Sequence, residues 1–277
     1  MSREQRITPN LIPSFALLSV SSNNKLSRVT TLRFPRLKRK LGLHHGIFTR
    51  HGGVSDIPYK SLNTGYKTGD REDNVIQNLE IVKATLGADQ LALMNQVHGQ
   101  DILVLKRDNL SEGDGRISAD ALVTDVAGLA LTVRQADCQG IILFEDQKKM
   151  LALVHCGWRG NVANILALTV KVMKNQYGCN PSHTIAAIGP SLGPCCAEFQ
   201  GYEALFPEAF NSFRVGLNHF DLWKISQWQL CEAGLDEKNI EVAGICTKCY
   251  YEFFFSYRAE GTTGRFATVA MVKPVVA

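Results

Sequence analysis

The chain alternates between short, wholly apolar runs and longer stretches whose apolar positions recur every three or four residues. Residues 141–144 and 150–154 are of the first kind. They contain no polar side chain and flank the charged stretch 145–149, so they predict two strands covered on both faces. Residues 101–105, 121–124, 129–133, 184–188, 240–245 and 266–272 read as further strands, and 91–99 as a strand that ends in His98. Residues 75–86 are of the second kind. Val75, Leu79, Val82 and Leu86 share one helical face, Asp73 or Asn74 precedes them as a cap, and Gly87 follows as a stop. Residues 162–176, 203–213 and 223–233 predict three more helices, the first closed by Gly178 and the last by Gly234. Strands interleaved with helices give an α/β fold, here a single layered domain with a mixed β-sheet and flanking helices.

The first 43 residues break this pattern. They are rich in Ser, Asn, Arg and Lys, carry Glu4 as their one acid, and lead into the basic run 33–40. An organelle transit peptide has that composition. The favoured reading is a loosely ordered extension, residues 1–43, ahead of a catalytic domain at 44–277. No run approaches the roughly 20 apolar residues of a membrane span. A net charge of +4 over 277 residues suits a small anionic ligand and is far from a nucleic-acid footprint. Eight cysteines at irregular spacings are too few for a disulfide scaffold of this length, so they are read as reduced and the compartment as cytoplasmic.

Chemistry gathers where strands stop. His98 closes one strand, Cys138 lies just past another, and His155 ends a third, within His155-Cys156-Gly157-Trp158-Arg159-Gly160. Two imidazoles and a thiolate can hold zinc and leave its fourth position open, the pattern of a catalytic centre. The same residues taken singly read as a hydrogen-bonded histidine, a small buried hydrophobe and a packing indole. The helix after Gly157 offers an N-terminus to an anion, with Arg159 adding a full charge. Arg50, Arg258 and Arg265 each stand near glycine or in a polar loop where a guanidinium fork would suit phosphate or carboxylate. Cys246-Thr247-Lys248-Cys249 lacks an obvious second ligand pair, since the vicinal Cys195-Cys196 is a poor one, and is read as structural.

Taken in order, Thr49-Arg50-His51-Gly52-Gly53-Val54-Ser55, Tyr59-Lys60-Ser61-Leu62-Asn63, Asn95-Gln96-Val97-His98-Gly99, Ala119-Asp120-Ala121-Leu122-Val123-Thr124, Ala136-Asp137-Cys138, His155 to Gly160, Ile188-Gly189-Pro190, Ser256-Tyr257-Arg258 and Thr263-Gly264-Arg265 form one extended pattern. It resembles the YfiH/laccase-domain family, also called the multicopper polyphenol oxidase or purine nucleoside phosphorylase family. The resemblance implies a zinc site of His98, Cys138 and His155. It also implies phosphorolysis of adenosine and inosine to base and ribose 1-phosphate, phosphorolysis of methylthioadenosine, and adenosine deamination. On that reading the partners are a nucleoside and phosphate, with no nucleic acid and no membrane; oligomeric state is left open. Asp137 joins the trio as a proton carrier, and Arg50, Asn63 and Arg159 are the expected substrate-binding residues. Three positions depart from the family pattern: Gln135 stands where Thr is usual, Gly140 where Pro is usual, and Cys156 where Ala is usual.

Competing readings use the same residues. Copper (Cu2+) in place of zinc would make a laccase-like phenol oxidase, but no methionine neighbours the trio, and His44, His45, His183 and His219 lie outside the motifs. A peptidoglycan-precursor amidase and a zinc-stabilised, non-enzymatic binding module complete the alternatives.

Overall fold

The computed structural model describes the backbone of residues 16–20, 29–40 and 42–274, with side chains from residue 29 onward. In chain order its elements are β1 (Ala16–Val20), β2 (Val29–Arg33), α1 (Pro35–Lys38), β3 (Leu43–Phe48), α2 (Glu72–Leu86), β4 (Gln90–Asn95), β5 (Ile102–Leu105), β6 (Asp114–Ser118), β7 (Ala121–Thr124), β8 (Leu129–Gln135), β9 (Gln139–Glu145), β10 (Met150–Cys156), α3 (Trp158–Val162), α4 (Ile165–Tyr177), β11 (Thr184–Ile188), α5 (Leu222–Glu232), β12 (Ile240–Val242), α6 (Tyr257–Glu260) and β13 (Phe266–Val272). The strands form two mixed sheets. One has seven strands in the order β1-β2-β3-β13-β8-β4-β6, the other six in the order β12-β11-β9-β10-β7-β5.

The two sheets stack, and side-chain alternation along each strand explains why the central runs carry no polar residue. In β10, Leu151 and Leu153 point between the sheets, against Leu131, Val133 and Ala270. Ala152 and Val154 point the other way, against Ile165, Leu166, Val170 and Leu230 of α4 and α5. The six-stranded sheet is therefore covered on both faces. The outer face of the seven-stranded sheet, with Ala130, Ala267, Val269 and Met271, packs Val82 and Leu86 of α2. The order is helix, sheet, sheet, helices. It keeps the expected single layered α/β domain and divides its strands between two sheets.

The described parts of the segment expected to stand outside the domain join it. β1 and β2 pair antiparallel and extend the seven-stranded sheet through β3. Phe34 and Leu37, in and beside α1, are buried in the core between the sheets. The rest of residues 1–28 and the last three residues lie outside the described part, so the targeting reading finds no test there.

Several elements differ from the periodicity reading. Helix α2 begins at Glu72 with Arg71 at its cap position, so Asp73 and Asn74 lie inside its first turn and do not cap it. The helix expected over 162–176 begins at Ile165, because Asn164 takes a left-handed conformation (φ 52°) and its side chain caps it by accepting from the Ala167 N–H; a separate short helix, α3, precedes it. The helix expected over 203–213 becomes two short 3-10 turns around Pro207, whose ring prevents a continuous ladder. The strand expected to carry His98 stops at Asn95. Among the described residues no helix is long and apolar enough to cross a membrane.

Leu153 is fully buried between the sheets. Leu153→Ala should cost about 2–5 kcal/mol through lost burial and an unfilled cavity. Urea unfolding read by circular dichroism would show the lower midpoint; a loss below about 1 kcal/mol would mean the two sheets are not packed at this point.

Candidate active site

His98, Cys138 and His155 converge, although 40 and 17 residues separate them in turn. Their ligand atoms lie within 4.8 Å of one another, and the two imidazole rings sit edge to face with centroids 4.8 Å apart. Each arrives by a different route. His98 lies beyond β4, in a left-handed conformation (φ 61°) that turns the chain sharply. Cys138 stands on the short link by which the chain leaves β8 in one sheet for β9 in the other. His155 lies in β10 opposite Gly140, in the same alternation as Leu151 and Leu153, so it faces the gap between the sheets. The site occupies the open end of that gap.

One carboxylate organises two of the three. Asp120, fully buried just before β7, accepts the backbone N–H groups of His98 (3.0 Å) and Gly99 (2.6 Å). Its Oδ1 also lies 2.8 Å from His155 Nδ1. A carboxylate only accepts, so Nδ1 carries the proton and Nε2 is left for the cavity. This is the carboxylate–histidine pairing that orients metal-bound imidazoles. Burial opposes ionisation of Asp120, but the bonds from His155, Gly99 and His98 hold its carboxyl below the usual range. Burial likewise works against a Cys138 thiolate, and the two imidazoles outweigh it, keeping the thiol below its ordinary value. His155 is raised in turn by the Cys138 sulfur and by Asp120. The donor set of one thiolate and two imidazoles, with a carboxylate behind one of them, fits zinc with one position open. Asp120 stands in one of the ordered motifs but is not among the expected site residues. Its signal was an acid set at the edge of a fully apolar strand.

Gly157 explains part of the opening motif. A Cβ there would meet Cys138 Sγ at 2.8 Å and the His98 ring at 3.5 Å, so only glycine lets the thiol approach. Trp158 packs edge-on against Phe199 and Phe206. Cys156 points away from the trio, buried against Ile165 and Gly160, where burial pushes its thiol far up. Alternation along β10 separates it from His155, so the extra thiol is no neighbour of the trio's ligand atoms. The departures at 135 and 140 are complementary in shape: Gln135 Nε2 reaches Thr268 Oγ1 at 2.5 Å, through the space a side chain at Gly140 would fill.

The trio lies in a cavity of about 1010 Å³ whose lining includes Arg134, Arg159, Arg258 and Arg265. Arg159 rests on the Trp158 ring, its Cζ 4.3 Å from the centroid, and is exposed. The other expected site residues are used differently. Arg50 is buried away from the cavity, where it pairs with Glu260 (2.9 Å), donates to the Tyr251 and Lys60 carbonyls and lies over Phe255. Asn63 is fully buried, donating to Asp70 and Thr68 and accepting from the Arg265 and Gly65 N–H groups. Both hold loops. Asp137 does line the cavity, but its carboxylate accepts from the Thr247 and Ser256 hydroxyls (2.7 Å each) and the Arg258 N–H (2.6 Å). The helix whose N-terminus is expected just after residues 157–160 begins at Ile165, and the five-residue helix α3 stands between it and Gly157.

A Geobacillus stearothermophilus protein named purine nucleoside phosphorylase YlmD is 32% identical over 79% of this chain and 86% of its own length. A Streptomyces coelicolor protein, also named a purine nucleoside phosphorylase, is 33% identical over 82% of this chain and 94% of its own. The crystal structure of YlmD from Geobacillus stearothermophilus superposes with a TM-score of 0.80 at 29% identity, covering 93% of this chain and all of that one. Residues 44–273 match the family model described as multi-copper polyphenol oxidoreductase laccase. By that match, and with the site built from the family's ordered motifs, the chain belongs to the multi-copper polyphenol oxidoreductase laccase family.

Proposed function

We propose that this chain is a zinc-dependent purine nucleoside phosphorylase, acting on adenosine, inosine and methylthioadenosine, and that the same site deaminates adenosine. The observation that carries the reading is the convergence of His98, Cys138 and His155 in a cavity large enough for a nucleoside with phosphate beside it and lined by arginines. Its volume lies at the upper end of the range for small-molecule sites, about 300–1,000 Å³. The names of the relatives point to the same chemistry.

Phosphorolysis needs a phosphate oxygen held against the anomeric carbon while the purine departs with a proton. Arg159 suits the first task, since it faces the cavity and makes no hydrogen bond or ion pair among the described residues. Arg265 and Arg258 are pinned by the Thr263, Gly264, Cys196 and Glu198 carbonyls, which fixes the direction of their remaining N–H groups. His98, Cys138 and His155 would hold the ion, and its chemistry would be polarisation of a substrate oxygen and, for deamination, acidification of a water. Asp137 is a positioning residue: with both carboxylate oxygens engaged, it fixes the 247 and 256–258 loops and with them Arg258. The copper reading finds less support. Among the described residues only one other group of metal-ligating side chains occurs, all cysteine, and no methionine lines the cavity.

Purified protein should release adenine from adenosine and hypoxanthine from inosine only when phosphate is supplied. Cys138→Ala should lose the trio's zinc and at least about a hundredfold in kcat/KM, a loss near 2.7 kcal/mol. Undiminished turnover in that variant would remove the trio from catalysis, and a stoichiometric visible copper band with phenol oxidation would replace the reading. Inactivity toward every nucleoside would leave the amidase and binding-module alternatives.

Asp120→Asn keeps the shape but cannot accept from every present donor, so zinc affinity at the trio should fall about 10–100-fold. Competition with a chromogenic chelator measures this, and unchanged affinity would show that Asp120 does not orient His155.

Arg159→Ala should raise the KM for phosphate by about 10–100-fold, the worth of one or two charged hydrogen bonds, roughly 1.5–3 kcal/mol. The KM for nucleoside should move little. An equal rise in both would reassign Arg159 to the nucleoside.

A further inference from the structure

Four cysteines that the active site does not use meet on one side of its cavity. The vicinal thiols of Cys195 and Cys196 come from the loop after β11, and those of Cys246 and Cys249 from the loop after β12. All four sulfurs lie within 4.8 Å of one another. Cys249 Sγ stands 3.5 Å from Cys195 Sγ and 3.6 Å from Cys196 Sγ. Four thiolates around a tetrahedral zinc, each bonded at about 2.3 Å, are separated by about 3.8 Å. The two Cys249 separations are already close to those of a coordination shell, and small side-chain shifts would bring the rest to it.

The turns explain how neighbours in sequence can share a centre. Gly193-Pro194-Cys195-Cys196 is a reverse turn closed by the Cys196 N–H on the Gly193 carbonyl (2.9 Å), with proline at its second position. The second turn is closed by the Tyr250 N–H on the Cys246 carbonyl (3.0 Å). The two turns are laid side by side by a bridge between Ser191 and Cys246, with the Thr247 N–H donating to the Ser191 carbonyl (3.0 Å). Cys246 is buried while Cys195 and Cys249 are exposed, so the cluster has an inner wall and an open approach for an ion.

We propose that Cys195, Cys196, Cys246 and Cys249 form a second metal site, a closed tetrathiolate centre for zinc that clasps the two loops forming one wall of the active-site cavity. Four sulfurs fill a tetrahedron and leave no position for water, so the role is structural. The clasp reaches the cavity through both loops. Leu192 and Phe199 flank the first cysteine pair and line the cavity, and the Cys196 and Glu198 carbonyls hold the Arg258 guanidinium. Thr247, inside the second pair, holds Asp137. Binding to the folded chain alone stabilises it, so loss of the ion should lower the melting temperature.

The test uses the full-length chain purified under reducing conditions with zinc. Elemental analysis should find two zinc ions per wild-type chain, one in Cys138→Ala and one in Cys249→Ser. Cobalt(II) added to metal-free Cys138→Ala, whose trio lacks its thiolate, should give intense sulfur-to-cobalt charge transfer and tetrahedral visible bands. The double variant Cys138→Ala/Cys249→Ser should lose most of that spectrum. Cys138→Ser, which also removes the thiolate, serves in place of Cys138→Ala if the latter is insoluble. Chelation of Cys138→Ala should lower its melting temperature. The proposal is overturned if folded Cys138→Ala takes up no zinc and gives no thiolate–cobalt bands, or if mass spectrometry of the freshly purified chain finds the four cysteines in disulfides. Failure of the His98/Cys138/His155 assignment would leave the cobalt spectrum of Cys138→Ala unchanged, so the two readings fail separately.

Discussion

A single buried carboxylate sets the geometry on which the site depends. Asp120 is withdrawn from water, and a bare charge there would be strongly disfavoured. It is compensated by the N–H groups of the loop that carries His98 and by the ring of His155. Its backbone carbonyl accepts the His155 N–H as well. Two histidines from separate segments are thereby referred to one fixed point, and their separation no longer depends on the flexibility of either chain segment. The left-handed turn at His98 is held by the same bonds, which offset the cost of placing a non-glycine residue there.

Around this point the chemistry of the motifs divides into two kinds of work. Arg50, Asn63 and Asp137 carry the groups one would choose for substrate, yet nearly every polar atom they offer is already bonded inside the protein. They fix loops 59–65, 247–258 and 263–265. Arg159 is the opposite case: its charge is exposed, it rests on an aromatic face, and it lacks a fixed partner among the described residues. Charged groups that hold structure are satisfied by protein; those that hold a ligand await it.

The break between α3 and α4 serves the same end. Asn161, fully buried, donates to Ser226 and Gln229 of α5 and receives from Gln139 at the start of β9. This polar knot fixes the short helix that follows Gly157, and so the backbone beneath Cys138. A single continuous helix would have carried Trp158 and Arg159 elsewhere.

The sequence alone determined the elements with strong periodicity and the α/β class, and its resemblance to the family marked out His98, Cys138 and His155 as a candidate trio. Those features are local: an apolar run, a capped amphipathic face, or a motif with its own residues in order. Tertiary structure decided the rest. The wholly apolar runs were legible as doubly covered strands, but not that they divide into two stacked sheets, because pairing partners are non-local and alternation does not name them. Arg50 and Arg159 look alike in sequence, and only burial and partners separate them. Cys195-Cys196 read as a poor ligand pair because spacing along one chain says nothing of a second turn laid against it. Asp120 was one acid among many until folding removed its water and left two histidine-bearing segments to satisfy it.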